Sequence, residues 1–381
     1  MKQLSILFLS LFILAGCNSH NSSESSTNNN ESWAFTGFEK VDSLNPILKP
    51  SPDLSFVCPI NKQSIRWEER NVLNPSAIVK DDKVWLFYRA QDVSGTSRIG
   101  LAVSSDGLHF EKQPEPVFYP DNDSMKSLEW NFRKDADYEF SEEPSSKLFD
   151  GTEDPRIVES DDGRYIMTYT AYDGKTARLL LATSEDLQNW TKHGPVLSAE
   201  KYNDTWSKSG AIVVKQQGNK MVATKINGKY WMYFGDTDLF MVSSDDLIHW
   251  EVAENAENGE MIEVLHPRPG YFDSRLVEPG PYALLKNEGI LLIYNGSNAA
   301  NFNDPELPKF TYAAGQALFD KNAPWKLIDR TESYFIHPDK DYEKVGEVNE
   351  VCFVEGLVNF QNKWFLYYGT ADSKIAVAVH Q

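Results

Sequence analysis

Gly151-Thr-Glu-Asp154-Pro155-Arg-Ile-Val-Glu159 leads, through the turn Ser160-Asp-Asp-Gly-Arg164, into Tyr165-Ile-Met-Thr-Tyr169-Thr-Ala-Tyr-Asp-Gly174. A polar residue and a proline open the first run, and aromatic and β-branched residues fill the second, the pattern of an antiparallel strand pair. The same order recurs. Asn74-Pro75 precedes Trp85-Leu-Phe-Tyr-Arg-Ala-Gln-Asp92, Glu278-Pro279 precedes Leu291-Leu-Ile-Tyr-Asn-Gly-Ser-Asn298, and Glu355-Gly356 precedes Trp364-Phe-Leu-Tyr-Tyr-Gly-Thr-Ala-Asp372. From leading polar residue to central aromatic, the copies span 14 residues (Asn74 to Tyr88), 15 (Asp154 to Tyr169), 16 (Glu278 to Tyr294) and 13 (Glu355 to Tyr368). A fifth copy, Tyr230-Trp-Met-Tyr-Phe-Gly-Asp236, follows a less regular first strand around 208–214. Equivalent positions in a radial array face one axis, and most of these leading residues are carboxylates.

Working outward, each unit continues into a small-residue strand and a closing turn. The turns read Ser105-Asp106-Gly-Leu-His-Phe110, Ser184-Glu-Asp186-Leu-Gln-Asn-Trp190 and Ser244-Asp-Asp246-Leu-Ile-His-Trp250, with a looser Phe319-Asp320-Lys-Asn-Ala-Pro-Trp325. Their Asp and Ser side chains suit backbone capping and their aromatics suit packing between sheets, so these turns are structural. Helical periodicity is almost absent. Five copies of about 70 residues favour an all-β, five-bladed β-propeller over a solenoid or a sandwich. The last unit ends after three strands, so a strand from 33–48 should complete it and close the ring.

The chain has 381 residues and a formal charge of −19, which disfavours nucleic acid or an anionic membrane face as partner. Its N-terminus is a processing signal. Met1-Lys2 and a short apolar run lead to Leu14-Ala15-Gly16-Cys17, similar to a bacterial lipobox. Residues 1–17 read as a lipoprotein signal peptide with Cys17 as the lipidated residue, 18–32 as a Ser/Asn-rich tether, and 33–381 as one catalytic propeller. The expected location is an exported, membrane-anchored lipoprotein, attached through lipid alone. Cys58 and Cys352 could pair in that compartment, but two buried free thiols are the favoured expectation. No cofactor or metal motif is present: the acidic residues form no calcium loop and the cysteines have no zinc spacing. The longest loop, between Lys112 and Gly151, carries Phe118, Tyr119, Trp130, Phe132, Tyr138 and Phe140 and is expected to form a binding wall. His109, His249 and His266 sit in turn or loop contexts and receive no role.

Carboxylates converging on one axis are what cleavage of a glycosidic bond requires: one acid for the leaving oxygen and one base for water on the opposite face of the sugar. Nearly the whole mature domain resembles glycoside hydrolase family 130, the β-mannoside phosphorylases and β-mannosidases. The resemblance rests on Asn45-Pro-Ile-Leu-Lys-Pro50, Leu73-Asn-Pro-Ser-Ala77, Tyr88-Arg89-Ala-Gln-Asp92 and Ser97-Arg-Ile-Gly100. It continues in Gly151-Thr-Glu153-Asp-Pro-Arg-Ile157, Asn227-Gly-Lys-Tyr-Trp231 and Tyr368-Gly-Thr-Ala-Asp372. It implies that Asp154 is the proton donor, acting through a hydroxyl of the bound mannose. Asn74, Arg89, Asp92, Ser97 and Arg98 would ring the sugar. Glu153, Arg156, Lys225, Tyr230, Asp236 and Asp372 would bind hydroxyls or tune Asp154, with a structural ion pair or turn bond the alternative at each.

Phosphorylases of that family hold phosphate with basic residues, including a His in a Tyr-His-Gly context. Here the position reads Tyr294-Asn295-Gly296, and Glu278 and Glu355 stand on the axis. Two carboxylates would repel a phosphate dianion and suit a water nucleophile. The expectation is an inverting exo-β-mannosidase acting on β-1,2 linkages of mannan-type oligosaccharides, with Glu278 or Glu355 as base. Alternatives are β-1,4-mannosyl hydrolysis, a mannoside phosphorylase, and a non-catalytic glycan-binding lipoprotein.

Overall fold

The structure, a computed structural model, describes residues 33–135 and 148–380. Cys17, the tether and loop residues Tyr138 and Phe140 lie outside the described residues. What is described is nearly all β, with two helical turns of four residues, Lys126–Glu129 and Asp341–Lys344.

Each sequence repeat folds as an antiparallel meander. The first runs Asn71–Lys80, Lys83–Gln91, Thr96–Ser104 and Glu111–Lys112. The second runs Asp150–Glu159, Tyr165–Tyr172, Ala177–Ser184 and Thr191–Pro195. The third follows Ala211–Gln217 with Tyr230–Phe234, Leu239–Ser244 and Trp250–Val252. In the fourth, Leu276–Pro279 and Ala283–Leu285 share the edge of Ile290–Ser297, followed by Tyr312–Phe319 and Leu327–Arg330. Cys352–Phe360, Lys363–Thr370 and Lys374–His380 form the last, and Glu39–Lys40 pairs with its outer edge, Glu39 opposite Val379. An N-terminal strand thus covers an edge that the C-terminal unit would leave open.

At Asn74, Asp154 and Glu355 the ladder breaks, which re-aims the leading side chain. Register shifts lie between Leu73 and Pro75, between Glu153 and Arg156, and between Val354 and Gly356. Asn74 and Asp154 also take left-handed backbone, with φ of 47° and 49°. A bulge of this kind re-aims one side chain out of the pleat.

The central aromatics of the four clear copies have a second job. Tyr88, Tyr169, Tyr294 and Tyr368 each donate a buried hydroxyl hydrogen bond, to Glu68, Glu129, Asp273 and Glu343, at 2.7, 2.7, 2.7 and 2.8 Å. Each carboxylate in turn meets a cation: Lys112, Lys192, the pair Arg268 and Arg330, and Lys40. Tyr233 of the third unit instead donates to the Pro324 carbonyl at 2.7 Å. A buried charge is tolerable only when paired and hydrogen-bonded, and these triads meet that condition in one stroke.

The closing turns are capped as expected, with one change of register. Ser104, not Ser105, is the equivalent of Ser184 and Ser244, its hydroxyl accepting from the Gly107 amide at 2.9 Å. Cys58 and Cys352 are buried and unbonded. Of the described aromatics of the long loop, Phe118 and Tyr119 pack into the cores between sheets, where burial is the stronger pull on an apolar ring, Trp130 is buried, and Phe132 projects into solvent.

Candidate active site

The inward-facing residues close a ring of contacts. Asn74 Nδ2 donates to Asp154 Oδ1 at 2.8 Å. Thr168, on the Asp154 meander, donates to the Gly210 carbonyl at 2.9 Å, and neighbouring Ser209 donates to Glu278 Oε1. Asn295, opposite Glu278, clamps Val354 through both its amide atoms at 2.8 and 3.0 Å, which fixes Glu355. Any side chain added at Gly356 would press on the Pro75 carbonyl, so the last unit abuts the first.

Three cations lie among these carboxylates. Arg89 binds Glu153 Oε1 at 2.7 Å, Asp154 Oδ1 at 3.2 Å and Ser97 Oγ at 3.0 Å. Ser97 reaches this point because its strand runs hard against Gly151, whose φ of 121° and missing Cβ permit the approach. Lys208 Nζ stands 3.7 Å from Asp154 Oδ2 and 3.6 Å from Glu278 Oε1, so those two oxygens are at most about 7.3 Å apart. That bound admits the spacing of about 6.5–9.5 Å used by inverting glycosidases and equally that of about 5–5.5 Å used by retaining ones. Arg156 anchors on the Pro279 and Gly280 carbonyls at 2.7 Å each and reaches Glu355 Oε1 at 3.1 Å. Asp154 Oδ2 and both Glu355 oxygens, although buried, accept no hydrogen bond among the described residues. Unpaired acceptors at this depth mark a place built for something other than folding.

Electrostatics divide the carboxylates. Burial opposes ionisation of Asp154, but Arg89, Lys208 and Asn74 overcome it and hold the group down to about 2. Burial outweighs Arg89 at Glu153, which is pushed up to about 7, and at Asp372, pushed up to about 6. Glu278 is raised, by burial against Lys208, and Glu355 is raised well above the carboxylate range, by burial against Arg156. Beside this cluster lies a cavity of about 370 Å³ lined by Arg89, Glu153, Lys208 and Asp372 and walled by Phe149, Tyr172 and Trp206. Trp206 stands half exposed, 6.1 Å from the Tyr172 ring, with its indole bonded to Asp236 at 2.6 Å. Flat apolar rings over convergent polar groups suit a sugar.

Residues 39–381 match a family profile described as β-1,4-mannooligosaccharide phosphorylase, of glycoside hydrolase family 130. The chain belongs to glycoside hydrolase family 130. A 1,2-β-oligomannan phosphorylase from Thermoanaerobacter sp. is 30% identical over 87% of this chain and 96% of its own length. A solved glycosyl hydrolase from Bacteroides ovatus is 44% identical, with a TM-score of 0.84 over 92% of this chain and 94% of its own. Another solved structure, 41% identical with a TM-score of 0.85 over 92% and 95%, is described with the family-130 glycoside hydrolases that target β-1,2 mannosidic linkages in Candida mannan.

Within this family-130 chain, the structure brings together Asn74, Arg89, Ser97, Glu153, Asp154, Arg156, Glu278, Glu355 and Asp372, with Asp236 at the rim. It separates four others. Asp92 and Arg98 bind each other at 2.7 Å beside a different cavity, where Asp92 caps the turn before Thr96. Lys225 and Tyr230 pack together at the far end of the third meander. Their motif is an Asn227-Gly228 hairpin turn, both residues at positive φ, and strand Tyr230–Phe234 runs from it toward the site over about 13 Å. Asn295 contributes as a clamp on the Val354 backbone. Lys208, Ser209, Tyr172 and Trp206 were missed. Ser209-Gly210 repeats the polar-then-Pro/Gly step, the signal that could have placed Ser209 and its neighbour Lys208. Among the described residues no three His, Cys, Asp or Glu side chains gather as a metal site.

Proposed function

We propose that this chain is an inverting exo-β-mannosidase that hydrolyses β-1,2-mannosidic linkages, with Asp154 as acid and Glu278 as base. The observation that carries the hydrolytic reading is the occupation of the cations. Arg89, Arg156 and Lys208 are each engaged by carboxylates, and Glu278 and Glu355 both face the centre. A phosphate dianion would meet two carboxylates at low dielectric, whereas water meets acceptors it can donate to. The solved relative associated with β-1,2 hydrolysis supports the linkage.

Carboxylates outnumber cations here, so the cluster keeps protons at neutral pH. Burial raises Glu355 well above its ordinary value, and Glu278, raised less and bonded to Ser209, is the better placed base. Asp154, held down to about 2, must be loaded with a proton before it can act as acid. Its bulged backbone puts it beside Glu153 on one guanidinium, and Glu153, near 7, carries the proton the pair needs. Loaded Asp154 then protonates the leaving oxygen, directly or through a sugar hydroxyl. Glu278 takes a proton from water as water bonds to the anomeric carbon, and α-mannose departs.

The second reading is phosphorolysis, favoured by the Thermoanaerobacter relative's activity. Incubation with β-1,2- and β-1,4-mannobiose, with and without phosphate, separates them: free mannose without phosphate supports hydrolysis, and phosphate-dependent mannose 1-phosphate refutes it. We further propose export and lipid anchoring at Cys17, on the strength of Leu14–Cys17; radiolabelled palmitate incorporation lost in Cys17→Ala tests it. The successive meanders are read as the blades of a five-bladed propeller.

A further inference from the structure

Two phenylalanines on the connection 298–311 are exposed where folding gives no reason for it. Phe302 is 83% exposed and Phe310 is 50% exposed. Both sit in left-handed backbone, with φ of 54° and 65°, a conformation that costs a bulky residue free energy. The connection is nevertheless held firmly. Buried Asn298 donates to the carbonyls of Asp304, Leu307 and Pro308 at 3.0–3.2 Å and accepts from the Asp304 amide at 2.9 Å. The Phe302 carbonyl also accepts from Gly270 at 2.6 Å. A pinned connection presenting two strained, solvent-facing rings is preorganised for contact.

Its position relates it to the active site. Arg275 lies over the Phe310 ring at 5.3 Å, and its amide donates to Ser297 at 2.8 Å, where the Glu278 strand begins. Three steps of extended chain lead from Arg275 to Glu278, about 10 Å. Tyr312, two residues after Phe310, pairs with Ser297, which pairs in turn with Leu276, two residues before Glu278. The connection therefore adjoins the strand that carries Glu278, within reach of the later units of a bound chain. Exposed aromatic faces flanked by a guanidinium recognise the apolar face and hydroxyls of a pyranose.

We propose that Phe310 and Phe302, with Arg275, form a stacking platform for the distal sugar units of an oligosaccharide whose end occupies the cavity beside Asp154 and Glu278; this rests on the mannosidase reading. The test is the double variant F302A/F310A, with Phe310→Tyr as a variant that keeps the ring. Wild type should prefer β-1,2-mannotetraose over mannobiose in kcat/KM by about 10-fold, the scale of one ring contact. The double variant should keep its mannobiose rate and lose the preference, and the tyrosine variant should retain it. Equal loss on both substrates, or an unchanged preference, overturns the platform. Calorimetric titration with mannotetraose decides the case even if wild type cleaves no mannoside. Affinity about 10-fold weaker in the double variant supports the platform while the activity reading falls, and equal or absent binding overturns it. A wild-type dimer that becomes monomeric in the double variant would assign the rings to self-association and also overturn it.

Discussion

Glu153→Gln tests whether the Glu153–Asp154 pair stores the catalytic proton. Glu153 is buried, receives Arg89 at 2.7 Å and Ser97 at 3.0 Å, and is pushed by burial, against Arg89, up to about 7. From the ordinary glutamate range up to that value, the folded chain holds a proton that the unfolded chain has released. The folded state binds more protons in this window, so stability must fall as pH rises through it. At about 1.36 kcal/mol per pH unit over a little more than two units, wild type should lose about 3 kcal/mol that the glutamine variant keeps. Gln retains an acceptor for Arg89, so the cluster's geometry survives. Denaturant unfolding at about pH 5 and about pH 8 reads the difference. In activity, the wild-type rate should fall above about pH 7, tenfold per unit, as the stored proton is lost. The variant should turn over slowly, with this limb displaced to lower pH. Parallel stability curves, or an unmoved alkaline limb, would refute the proton store.

Asp154→Asn should lower kcat by about 100-fold or more, the scale of lost general-acid help. Because Asp154 is held down to about 2, its carboxylate contributes stability at neutral pH that is lost as pH falls through that value, so the variant should also be about 2 kcal/mol less stable at pH 7. Glu278→Gln should depress turnover more than Glu355→Gln, and proton NMR of early product should show α-mannose; initial β-mannose would exclude inversion. Tyr294→Phe removes a hydroxyl bonded to a buried carboxylate and should cost about 2 kcal/mol, against about 1 kcal/mol for Tyr233→Phe, whose partner is a neutral carbonyl. Equal melting temperatures for the two would contradict the triad reading.

Alternating aromatics and polar-then-Pro/Gly steps sufficed to read strand order, the meander repeat, the closing turns and the N-terminal strand that completes the last unit, because strand period and turn chemistry are local. The same steps exposed Asp154, Glu278 and Glu355, since a residue at a repeat's start occupies an equivalent place in every copy. What lay beyond local pattern needed the tertiary structure. Asp92 and Arg98 have the residue types of a sugar site, yet their nearest partners are each other, and the Asn227-Gly228 motif is a hairpin turn at the far end of its strand. Lys208 entered the site only because the third meander carries it between Asp154 and Glu278, residues 70 or fewer positions away on either side. Protonation was the least legible property of all: Asp154 and Glu153 are adjacent, chemically alike and held by one guanidinium, but one is ionised and the other near 7. Burial depth and the count of charges within a few ångströms set that difference, and both exist only once distant strands have met.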